Sequence, residues 1–140
     1  MRAPPMVPES QFESALVLLN PRAAGGRAAR IAEPLRRWLE ARAAGATLSI
    51  ATDAADARSV LLGRPAGSRV VLIGGDGTLH QMLPALLARQ LSVGLVPVGS
   101  GNDMARALGL SGLRWDAALA IAPPTVPPGW ADCRATCGPR

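Results

Sequence analysis

Lysine and tyrosine are absent from this 140-residue chain, and phenylalanine and histidine occur once each. All 15 basic residues are therefore arginines, and aromatic residues make up 3% of the sequence. The net charge of +5 permits a polyanionic partner such as a nucleotide, a nucleic acid or an acidic headgroup. The arginines are scattered (Arg22, Arg27, Arg30, Arg36, Arg37, Arg58, Arg106) with almost no aromatics to stack bases, so no nucleic-acid partner is expected. Cysteine is confined to Cys133 and Cys137; without a second Cys or His cluster neither a zinc site nor a disulfide scaffold is expected. No apolar run reaches transmembrane length, and Met1-Arg2-Ala3-Pro4-Pro5 lacks the apolar core of a signal peptide, so the cytoplasm is the expected compartment.

What remains is a chain that is 49% hydrophobic, mainly Ala, Leu and Val. That is enough for the core of one ordinary domain and argues against disorder. Its Ala, Arg, Gly and Pro bias follows as readily from a GC-rich coding sequence as from function. Residues 1–13 are polar and Pro-rich and are expected to form a flexible segment. Ala15-Leu16-Val17-Leu18-Leu19 is a continuous apolar run, as suits a strand buried on both faces, and it stops at the turn signal Asn20-Pro21. A helical stripe of Ile31, Leu35, Trp38 and Leu39 follows Gly25-Gly26. Pro34 predicts a kink or a helix start there, and Gly45 closes the helix. Thr47 to Ala51 alternates as a second strand, and Ala54 to Leu62 is a second helix. Arg69-Val70-Val71-Leu72-Ile73 is a third strand, running straight into Gly74-Gly75-Asp76-Gly77-Thr78. Thr78 is expected to cap a helix bearing Leu79, Met82, Leu83, Leu86 and Leu87, which Pro84 should bend or destabilise. Ser92 to Val96 is a fourth strand, followed by Gly99-Ser100-Gly101 and a helix from Asn102 or Asp103 to Leu108. Another short helix is expected around Trp115 to Ile121. Regular structure is expected to end at the proline-rich stretch 123–129.

Four strand–helix alternations imply an α/β fold, a doubly wound and mainly parallel sheet with helices on both faces. Ligands of such sheets bind beyond the carboxyl ends of the strands, where Asn20-Pro21 and both glycine-rich turns fall. Phosphate needs close backbone N–H donors, and Gly74, Gly75 and Gly77 clear the approach to a helix start that favours anions. Asp76 repels phosphate directly. It suits Mg²⁺-bound water, ribose hydroxyls or neighbouring N–H groups better. Taken alone, the turn is explained as well by a tight strand-to-helix connection with Asp76 in an Asx-turn. A second small-residue opening at Gly99 to Asp103, besides any capping role, tips the balance toward a nucleotide pocket. Among single residues, His80 is read as a surface or capping residue and Trp38 as a core anchor. Trp115 and Trp130 could pack against a further domain.

Gly74-Gly75-Asp76-Gly77-Thr78-Leu79-His80 and Pro97-Val98-Gly99-Ser100-Gly101-Asn102-Asp103-Met104-Ala105-Arg106 resemble the two signature loops of the diacylglycerol kinase catalytic domain family. Asn20-Pro21 with Gly25-Gly26 is similar to that family's first strand–turn, and the order agrees from Ala15 to Leu110. The first loop is shared with NAD kinases and phosphofructokinases; the second is specific to the lipid-kinase branch. The resemblance implies ATP lying across this edge, with Thr52, the segment Gly75 to Gln81, and Ser100 as contacts. Asn20, Gly74, Gly101 and Asn102 complete the candidate set. It further implies Mg²⁺ held through water at Asp76, and γ-phosphate transfer to a lipid hydroxyl at the inner face of the membrane. Gln81 stands where the family usually has Glu, which removes a charge near the metal and phosphate region. On this resemblance residues 14–122 form the nucleotide-binding domain, and 123–140 are a linker or the start of a β domain that supplies the catalytic base. A non-catalytic nucleotide-binding or regulatory module, and less so an NAD kinase-like enzyme, stay open as alternatives, as does a homo-oligomer.

Overall fold

The computed structural model describes residues 15–43, 45–98, 115–116 and 130–132, the last three as backbone. Strand β1 (Leu16–Leu19) is buried along its whole length, as its uninterrupted apolar run requires. A 3-10 stretch, Ala23–Ile31, leads into helix α1 (Ala32–Arg42). Strand β2 (Thr47–Ile50), helix α2 (Ala54–Leu62), strand β3 (Arg69–Gly74), helix α3 (Asp76–Ala88) and strand β4 (Ser92–Pro97) follow. Strand β5 is the short segment Trp130–Asp132. The strands form one sheet in the order β2-β1-β3-β4-β5. The first four run parallel, and β5 lies antiparallel on β4 with Val93 opposite Ala131.

Successive side chains of a strand point to opposite faces, and the two cores follow that alternation. On one face Leu16, Leu18, Val70, Leu72, Val93 and Leu95 pack with Ala57 and Leu61 of α2 and with Met82, Ala85 and Leu86 of α3. On the other, Val17, Leu19, Val71, Ile73 and Val96 pack with Ala28, Leu35, Leu39 and Ala43. Each fully buried Leu or Ile of these layers contributes about 1.5–3 kcal/mol of transfer free energy. The expected doubly wound α/β fold, helices on both faces, is thus the observed one. Trp38 lies half-buried against the α1 layer, with the Arg42 guanidinium 5.6 Å from its ring centroid.

Several local expectations are refined or corrected. Of the two outcomes expected at Pro34, a kink or a helix start, α1 shows the second: Ile31 is its N-cap, so Pro34 falls in the first turn, where a missing N–H costs nothing. The preceding stretch is no regular helix, because Ala24, Gly25 and Gly26 hold φ of 56°, 67° and 91°. Pro84 sits within α3, on its exposed side, and the helix continues through it. Regular structure does not stop at the proline-rich stretch, since β5 extends the sheet past it. Trp115, half-buried, packs against the α1-side core. Three residues of pairing at long range leave no periodic signal in the sequence, which is why β5 was not foreseen.

Candidate functional site

The sheet order places a topological switch between β1 and β3. From β1 the chain crosses to β2 on one side, and from β3 it crosses to β4 on the other. The connections leaving β1 and β3 therefore diverge onto opposite faces, α1 on one and α3 on the other, and a crevice opens between them at the carboxyl edge. Backbone bonds hold this edge in register. Asn20 N–H donates to the Ile73 carbonyl (3.2 Å), Ala51 N–H to Leu19 (3.1 Å), and Val98 N–H to Gly74 (3.0 Å). The exits of β1, β2, β3 and β4 are thereby brought side by side.

The glycine-rich turn forms the start of α3. Gly75 is the N-cap, with extended angles (φ −114°, ψ −167°) and no side-chain cap, and Asp76 is the first helical residue. Thr78 is consequently not the cap that its sequence position suggested. It is the third residue of the helix, because Asp76 and Gly77 already take helical angles. The opening N–H groups of a helix have no intrahelical acceptor, and Gly75, as N-cap, brings no side chain to them, which makes this helix start a candidate anion site. The glycines differ in purpose. A Cβ on Gly77 would meet nothing within 4 Å, so the approach there is open. A Cβ on Gly74 would lie 2.6 Å from Thr78 Oγ1 and 2.7 Å from Thr78 Cβ, so Gly74 is needed for packing against α3.

Asn20 reaches across the crevice. Its Nδ2 donates to Thr78 Oγ1 at 2.9 Å, and its Oδ1 accepts the Arg22 N–H at 3.1 Å. Thr78, 8% exposed, is one of two buried polar side chains among the described residues. Thr52 belongs to a capping network at the start of α2. Its N–H and hydroxyl donate to Asp56 Oδ2 (2.9 and 3.3 Å), while Asp53 Oδ1, the N-cap acceptor, receives Asp56 N–H at 2.8 Å. Asp53 and Asp56 were missed from the sequence, although Asp53-x-x-Asp56 has the spacing of a capping box. Leu79 turns its side chain into the α2–α3 core, leaving only its backbone to the turn. His80 and Gln81 are exposed in the first two turns of α3. Ser100, Gly101 and Asn102, and the rest of the second signature loop, lie outside the described residues. Among the described residues no group of three or more His, Cys, Asp or Glu side chains could hold a metal ion. Asp76 alone is in place at the cradle, and Mg²⁺ bound to a nucleotide commonly uses only one or two carboxylates beside phosphate and water. The donor set therefore fits a metal that arrives with its nucleotide.

Comparison with known proteins bears on what this edge serves. Residues 14–126 match the family described as the diacylglycerol kinase catalytic domain. A diacylglycerol kinase of Mycobacterium tuberculosis (strain ATCC 25618 / H37Rv) is 33% identical over 117 residues, which cover 82% of this chain and 37% of that protein. Diacylglycerol kinase iota of Homo sapiens is 30% identical over 101 residues, 69% of this chain and 9% of its own length. A diacylglycerol kinase from Bacillus anthracis str. Sterne shares the fold with a TM-score of 0.63 at 24% identity, covering 76% of this chain and 40% of that one. The chain thus spans well under half the length of the relatives it matches. With most of its residues inside the matched region, and a glycine cradle at the switch point of the sheet, this chain belongs to the diacylglycerol kinase catalytic domain family.

Proposed function

We propose that this chain forms the ATP-binding part of a lipid kinase that transfers the γ-phosphate of ATP to a diacylglycerol-like hydroxyl. The observation that carries the reading is the start of α3: a helix N-terminus whose N-cap, Gly75, has no side chain, beside the open position at Gly77, at the carboxyl edge of a parallel sheet. We take residues 14–122 as the nucleotide-binding unit. On this reading the phosphates lie against the backbone N–H groups of Asp76 to Thr78, and Ser100, Gly101 and Asn102, which lie outside the described residues, are further nucleotide contacts. Asp76 would hold Mg²⁺ through water, and the ion would neutralise charge on the transferring phosphoryl group. The lipid hydroxyl oxygen forms the new bond to phosphorus, the bond to the bridging oxygen of ADP breaks, and the hydroxyl proton passes to a base. Such transfer asks of the protein mostly positioning and charge stabilisation. We place the base in the length of the relatives that this chain does not span, together with the β domain that contacts lipid. The acceptor being a lipid, the reaction belongs at a membrane surface. No helix among the described residues is long and apolar enough to cross a membrane.

Calorimetric titration of ATP with Mg²⁺ tests the reading. The chain is expected to bind, Asp76→Ala to bind more weakly in Mg²⁺, and Gly75→Val to lose binding. Any residue can adopt the extended angles of Gly75, so a valine there blocks the approach without straining the turn. Unchanged affinity in Gly75→Val would refute the cradle. Radiolabelled phosphate transfer to diacylglycerol should stay at background with this chain alone, and sustained turnover would overturn the placement of the base.

A further inference from the structure

We infer that Asn20 is a positioning residue: it acts on the nucleotide through Thr78, by fixing the first turn of α3. The inference rests on the nucleotide-binding reading above. Both ends of the Asn20 amide are engaged by protein, Nδ2 by Thr78 Oγ1 at 2.9 Å and Oδ1 by the Arg22 N–H at 3.1 Å. Its backbone is held as well, with N–H on the Ile73 carbonyl at 3.2 Å and C=O accepting Ala23 N–H at 3.2 Å. Asn20 is thus bolted to the end of β3 and to its own turn, and its side chain carries that fixed position 58 residues along the chain to α3.

Thr78 is suited to receive it. The side chain stands over Gly74, so close that even a methyl group there would come within 2.6 Å of Oγ1 and 2.9 Å of Cγ2. It is therefore confined from the strand side by Gly74 and from the β1 side by Asn20. Thr78 is also the third residue of α3, one of the residues whose backbone N–H lacks an intrahelical acceptor. Locking its side chain locks the direction of those N–H groups, and a binding constellation of this kind tolerates about 0.5 Å of displacement before it loses effect. Sequence order gives no hint of this link; only the parallel pairing of β1 with β3 brings the two residues together.

A double-mutant cycle on MgATP affinity, read by calorimetry well below each variant's melting temperature, separates positioning from contact. Asn20→Ala and Thr78→Val should each weaken binding about ten-fold, in the range for a lost hydrogen bond that leaves its partner unsatisfied. Because both remove the same link, Asn20→Ala in the Thr78→Val background should cost little more, and the double variant should match the singles. Thr78→Ser keeps the acceptor oxygen and should recover most of the affinity that Thr78→Val loses. Asn20→Ser can still cap the Arg22 N–H but is too short for Thr78; it reports the same loss if Asn20→Ala folds poorly. Asn20 variants that bind as tightly as the wild type overturn the inference. So does a further ten-fold loss in the Thr78→Val background, which would make Asn20 a direct contact. A wild-type chain that binds no MgATP would instead overturn the nucleotide-binding reading itself.

Discussion

Gly74→Ala is the smallest change that sets the packing at the carboxyl edge against the helix beside it. The added methyl would lie 2.6 Å from Thr78 Oγ1, 2.7 Å from Thr78 Cβ and 2.9 Å from Thr78 Cγ2. Rotating Thr78 about χ1 moves Oγ1 and Cγ2 but leaves Cβ where it is, so the first turn of α3 has to shift. Overpacking of this kind costs about 1–3 kcal/mol, and the displaced Thr78 also gives up its bond from Asn20, worth about 1 kcal/mol. Replacing glycine in a strand returns roughly 0.5–1 kcal/mol of backbone entropy. The net loss is about 2–3 kcal/mol, which for a domain of this size lowers Tm by roughly 6–9 °C. Thermal denaturation followed by circular dichroism measures it. Thr78→Ala should rescue Gly74→Ala only in part, since the Cβ contact survives. A Gly74→Ala protein melting within 2 °C (about 0.7 kcal/mol) of the wild type would show that α3 is not seated on Gly74 as described.

Three other substitutions probe neighbouring features. Gly77→Ala should act in the opposite sense to Gly74→Ala: with open space around the new methyl, Tm should hold or rise with up to about 1 kcal/mol of added helix propensity, while MgATP affinity falls in titration. Asp53→Ala removes the cap that accepts Asp56 N–H at 2.8 Å and should cost about 1 kcal/mol, seen as a lower denaturation midpoint. Pro84→Ala, on the exposed side of α3, returns an N–H for the His80 carbonyl. It should stabilise the chain by about 1–2 kcal/mol after the entropy of the unfolded proline is counted, and an unchanged or lower midpoint in urea would contradict it.

Features encoded locally were legible in the sequence, and those made by distant pairing were not. β1, β3 and β4 are buried on both faces, so each appears as an apolar run bounded by turn residues, and α2 spans the residues its pattern predicts. The glycine-rich turn between β3 and α3 was legible because the apolar run of β3 ends on it. The start of α3 was misplaced by three residues since Thr is the better intrinsic cap, but Thr78 serves Asn20 instead. Asn20 and Thr52 were named as nucleotide contacts through the family resemblance; nothing along the chain near Asn20 foretells a partner on α3, and the capping bond of Thr52 to Asp56 is legible only in the Asp53-x-x-Asp56 spacing. The left-handed angles at Ala24 to Gly26 disrupt a segment whose composition otherwise favours a helix.

The hydrogen bond between Asn20 and Thr78 also has a consequence for how the chain acquires its binding site. It closes a loop of 58 residues, and such closure is achieved only when β1 has found its place between β2 and β3. A peptide spanning Arg69 to Ala88 contains the whole glycine turn and its helix, yet it should be unable to hold a nucleotide. On the nucleotide-binding reading, competence to bind would then be a property of the assembled sheet. A ligand that recognises only the closed arrangement stabilises all of it, by about 2.7 kcal/mol at a hundred-fold excess over Kd. ATP would then serve the chain as a folding ligand before it served as a phosphoryl donor.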